Sequence, residues 1–61
     1  EMPTDETRRL LKVFGVAVTA FEDAVEKQTS PEERRKAEAE ARTRLQEVTA
    51  LIERLGAKKA P

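Results

Sequence analysis

Between residues 10 and 25 the apolar positions run Leu10, Leu11, Phe14, Ala17, Val18, Phe21, Ala24 and Val25. Successive gaps of one, three, three, one, three, three and one trace a single stripe on an α-helix. The pattern predicts a first helix over about 5–28. Thr4, directly after Pro3, is placed to cap it, and Asp5 and Glu6 then put carboxylates at the positive end of the helix dipole. The β-branched residues Val13, Val16, Val18 and Thr19, together with Gly15, offer a strand over 13–21 as the alternative. The helical spacing continues on both sides of that stretch, and so short a chain supplies no partner strand.

The next element announces itself at Ser30-Pro31-Glu32-Glu33. Ser30 reads as an N-cap, Pro31 suits the first helical position, and Glu33 stands where a capping box needs a carboxylate. A turn at 29–30 therefore leads into a second helix over about 31–55. Its stripe is Ala37, Ala41, Leu45, Val48, Ile52 and Leu55. Gly56 follows as a candidate helix stop, and residues 57–61 are expected to fray. So short a connection makes the two helices antiparallel neighbours. A register that sets Leu10 against Ile52, Phe14 against Val48, Ala17 against Leu45 and Phe21 against Ala41 alternates large with small residues. The predicted fold class is all-α, an antiparallel two-helix hairpin.

This seam leaves apolar residues over. Leu11, Val18 and Val25 flank it on one side of helix one, Val13, Val16 and Ala20 lie on the other, and Leu51 is a comparable remainder on helix two. A helix that is apolar around most of its circumference is normally buried on more than one side. With 61 residues, one seam rich in alanine does not offset an ordering cost of roughly 1.5 kcal/mol per residue. The expectation is a homodimeric four-helix bundle, with Leu11, Val13, Gly15, Val16, Val18, Ala20 and Val25 as the partner interface. A two-fold axis near Val16 would bring Arg9 toward Asp23 and Asp5 toward Lys27 of the mate. A different helical protein partner is the other way to cover the same surface.

Composition narrows the chemistry. There is no cysteine and no histidine, so disulfides, thiolate metal sites and the commonest general base are absent. Carboxylates are plentiful, but a lone hairpin offers no pocket to separate their pKa values, and no phosphate-binding loop accompanies Gly15 or Gly56. No enzymatic activity and no cofactor or metal is expected. Charged residues make up 39% of the chain and aromatics 3%, a balance that can signal disorder; the periodic apolar positions override it. The apolar run 10–21 is too short to span a bilayer, and no signal-peptide organisation precedes it. The polar face of helix one is mixed in sign, which argues against a membrane-surface helix. A cytoplasmic protein is expected. Glu1 reads as an addition in front of a native start at Met2.

Twelve basic residues balance twelve acidic ones, which argues against a general nucleic-acid footprint. The basic residues that would serve one are Arg34, Arg35, Lys36 and Arg42, yet acidic residues interleave with them and both phenylalanines are claimed by the core. A nucleic-acid-binding regulator with the bundle shape of the plasmid-copy regulator ROP is the alternative; the similarity is one of shape, with no shared motif. The sequence favours a non-enzymatic protein–protein interaction module, a small adaptor, scaffold or regulatory subunit acting through helix–helix association.

Overall fold

The computed structural model describes residues 4–58 as two α-helices joined by a short turn. Helix α1 spans Asp5–Glu26 and α2 spans Pro31–Lys58. They pack side by side and antiparallel, and the exposed ion pair between Glu6 near the start of α1 and Arg54 near the end of α2, at 2.9 Å, fixes the register within about a turn of the predicted one. The molecule measures 50 × 19 × 12 Å, so it is a slab one helix thick.

The helix ends follow local chemistry. Thr4 sits in extended backbone and its hydroxyl accepts the Thr7 N–H at 3.2 Å. At the other end of α1, Gln28 adopts φ 56°. The Gln28 N–H reaches the Val25 carbonyl and the Thr29 N–H the Ala24 carbonyl, each at 3.2 Å, the paired bonds of a Schellman ending. Helix one thus stops two residues short of the predicted position 28. The Ser30 half of the predicted capping box is present: Ser30 Oγ accepts the Glu33 N–H at 3.2 Å.

Helix two does not stop at Gly56. It runs on to Lys58, with Gly56 in ordinary helical backbone. A glycine at the helix interior costs about 1 kcal/mol relative to alanine. That is too little to end a helix whose next residues add hydrogen bonds in open solvent. Of the predicted tail, 57 and 58 are helical, and 59–61 lie outside the described residues.

The core is centred differently from the predicted one. Among the described residues, Ala17, Ala41 and Leu51 are buried and no side chain is fully enclosed. Around them Leu10, Val13, Phe14, Phe21 and Ala24 of α1, and Arg34, Ala37, Arg44 and Val48 of α2, are half-buried. The seam on α2 therefore runs Arg34, Ala37, Ala41, Arg44, Val48, Leu51. Leu51, predicted to be left over, is 5% exposed, whereas Ile52, predicted to meet Leu10, is 61% exposed. The physical reason is Arg44. Its aliphatic stem occupies a seam position and its head leaves the slab edge, so an arginine does the work of an apolar residue there. Leu45 and Ile52 are then turned onto a flank. Phe21 and Ala41 still share one apolar groove, as the large-against-small pairing requires.

Candidate association surface

On a helix with 100° per residue, Leu11, Val18 and Val25 recur every seventh position and stand on one flank of the α1 seam residues. Leu45 and Ile52 do the same on α2. In an antiparallel pair these two flanks lie on the same broad side of the slab. The groove along that side is lined by Phe14, Val18 and Phe21 from α1 and by Glu38, Ala41, Arg42 and Leu45 from α2. All five flank residues are among the large apolar side chains that the fold leaves exposed. Leu55, 45% exposed, lies near the end of the seam. One broad side thus carries five exposed large apolar residues, with the Glu38–Arg42 ion pair among them toward the turn.

The opposite side is charged. Arg44 binds Glu40 at 2.7 Å and Glu47 at 3.1 Å, and Arg54 binds Glu6 at 2.9 Å across the helices. The hydrogen bond that Arg44 donates to Glu47, then the one it donates to Glu40, and then the two charges hold its guanidinium above the usual range, while desolvation acts the other way. A raised basic group stabilises the fold at every pH below its unfolded value. The Arg44 contribution is therefore constant through neutral pH. No polar or charged side chain is buried among the described residues.

The seven residues predicted as the partner interface do not form one surface. Leu11, Val18 and Val25 stand on the apolar side just described. Val13 is half-buried at the edge of the seam. Gly15, Val16 and Ala20 lie on the back of α1, in a shallow patch shared with Lys12, Thr19 and Asp23. Only Val16 there is large, at 62% exposure, and the Thr19 hydroxyl donates to the Gly15 carbonyl at 2.8 Å. Leu45 and Ile52 belong to the apolar side and had been assigned to the seam. Their seven-residue spacing, matching that of Leu11, Val18 and Val25, was the signal that pointed to them.

The basic residues are dispersed by the fold. Arg34 is half-buried in the seam. Arg35 and Lys36 border a polar patch with Glu32 and Glu33. Arg42 binds Glu38 at 2.6 Å. Among the described residues no cluster of three or more acidic side chains is arranged to hold a metal ion, and no helix is long and apolar enough to cross a membrane. Comparison with models of protein families finds no match, and comparisons with curated proteins and with solved structures find no significant one.

Proposed function

We propose that this chain is a non-enzymatic interaction module that works by helix–helix association, assembling with a second copy into a four-helix bundle. One observation carries the reading: a slab one helix thick exposes Leu11, Val18, Val25, Leu45 and Ile52 on the same broad side. The bundle would then display the charged side, with its ion pairs of Arg44 and Arg54, as an adaptor or small regulatory subunit does.

Light scattering across a range of concentrations tests this reading. The wild-type protein is expected at twice the chain mass. Leu45→Glu places a charge in the centre of the apolar side and is expected to return the mass to one chain. Val16→Glu alters only the back of α1 and is expected to leave the assembly intact. A wild-type protein that is fully helical at the mass of one chain throughout would overturn the proposal. Loss of assembly in Val16→Glu with retention in Leu45→Glu would move the interface to the back of α1.

A further inference from the structure

The apolar side has one polar break. Along α2 the positions that face it recur every seventh residue at Ile52, Leu45 and Glu38, and along α1 at Leu11, Val18 and Val25. Five of these places hold large apolar side chains that the fold leaves exposed; the remaining one holds a carboxylate. Glu38 is half-buried and lines the groove with Phe14, Val18, Phe21 and Leu45. Arg42 donates to it from Nε at 3.0 Å and from a terminal nitrogen at 2.6 Å, and both hydrogen bonds reach the same oxygen, Oε2. Among the described residues Oε1 has no protein donor, and it is not sealed from solvent. Water therefore completes the hydrogen bonding of this carboxylate.

A second slab on the apolar side takes that water away whichever way it lies. With Val18 and Leu45 as the middle level, Val25 and Glu38 stand one seven-residue step toward the turn, and Leu11 and Ile52 one step toward the chain ends. Where the turns of two copies lie at the same end, Val25 of one copy comes over Glu38 of the other. Where they lie at opposite ends, Ile52 does. Neither side chain offers a donor. The carboxylate then keeps only Arg42, whose own side chain is 72% exposed and stands further round α2, at the margin of the slab. An ion pair taken partly out of water in this way loses more hydration than its attraction returns, unless new hydrogen bonds replace the water. A polar residue at one place in an apolar repeat acts in the same direction, lowering the stability of the assembly. We infer that the Glu38–Arg42 pair is a brake on association: it holds the pairing of two copies weaker than the five apolar residues alone would make it, and so keeps the assembly reversible. The brake rests on the self-association proposed above and holds for either orientation of the two copies.

The test is a neutral pair of similar size. Glu38→Gln combined with Arg42→Gln removes one charge of each sign, leaves the net charge at zero and keeps good helix formers at both positions. Sedimentation equilibrium measures the dissociation constant of the two copies. This variant is expected to pair about tenfold more tightly than the wild type. Asp23→Asn combined with Lys27→Gln is the control. It removes an exposed pair of the same spacing, at 3.2 Å, whose Asp23 lies on the back of α1, and it is expected to leave the dissociation constant within about twofold. An unchanged or weaker pairing of the first variant, with the wild type at twice the chain mass, overturns the brake and leaves the association standing. Equal tightening in the control overturns it too. A wild type at the mass of one chain throughout overturns both the brake and the association.

Discussion

Replacing Leu51 by alanine separates the observed core from the one that the apolar pattern suggests. Leu51 is 5% exposed and lies beyond the alanine-rich half of the seam. Removing a buried leucine side chain costs about 2–5 kcal/mol, with the low end where neighbours collapse into the space. Here the neighbours are two helices with no third layer, so about 3 kcal/mol is expected. A chain of this size holds only a few kcal/mol in total, roughly 0.05–0.15 per residue. Leu51→Ala should therefore remove most of the folded population. Ile52→Ala is the control. Its side chain is 61% exposed, so the hairpin itself buries less than half of it, worth about 1 kcal/mol. Alanine returns about 0.4 kcal/mol of that as helix propensity. Within one chain the net loss is about 0.5 kcal/mol. Urea titration followed by far-ultraviolet circular dichroism measures both, at the lowest protein concentration where the wild type is still helical. At higher concentration the Ile52→Ala deficit should grow to about 2 kcal/mol, because pairing covers that residue. An unfolded Ile52→Ala beside a near-native Leu51→Ala at low concentration would refute the observed seam and restore Ile52 to the core.

Two further substitutions probe the backbone. An alanine Cβ at Gly15 meets nothing within 4 Å, so Gly15→Ala should stabilise the protein by about 1 kcal/mol in thermal denaturation, from helix propensity alone. A destabilised variant would show that something packs against the back of α1. Gln28 holds φ 56°, a region that disfavours side chains by about 1 kcal/mol. Gln28→Gly should accordingly raise the urea midpoint by the equivalent of about 0.5–1 kcal/mol. No change, or a loss, would mean that the turn does not take that conformation in solution.

The parts of this fold that were legible in the sequence are those set by neighbours a few residues away. Thr4 and Ser30 cap as their side-chain chemistry dictates, and Leu10, Phe14, Ala17, Phe21 and Ala24 of the predicted stripe face the second helix, while Leu11 and Val18 do not. Two stops were misread for one reason. Glycine is the customary residue at a helix end, yet the left-handed position after α1 is held by Gln28, whose two flanking hydrogen bonds offset its steric cost. Gly56 meanwhile has no such bonds to make and stays helical. The centre of the seam on α2 was illegible in a deeper sense. Ala37, Ala41, Val48 and Leu51 form one strip there, and Leu45 with Ile52 forms the next, so the apolar arc is wider than one neighbour covers. Pattern alone assigns the larger residues to the core and Arg44 to solvent. The fold does the reverse, because an arginine can bury its stem and still satisfy its charge at Glu40 and Glu47.

That reversal bears directly on association. A seam centred on Leu45 and Ile52 would have used up the best apolar residues of α2 and left the chain with a scattered surplus on α1. Filling the seam with Ala41, the Arg44 stem and Leu51 instead frees Leu45 and Ile52 to lie beside Leu11, Val18 and Val25. The small core and the broad apolar side are then two consequences of the same choice. The hairpin gives up internal burial where alanine and arginine occupy the seam, and what it gives up stands exposed on one side in a form that a second slab can cover. Stability and assembly should therefore fail together. Any substitution that weakens the apolar side without touching the seam, Leu45→Glu foremost, is expected to lower the melting temperature as well as the mass, and a Leu45→Glu chain that stays fully helical and equally heat-stable as a single copy would break that link.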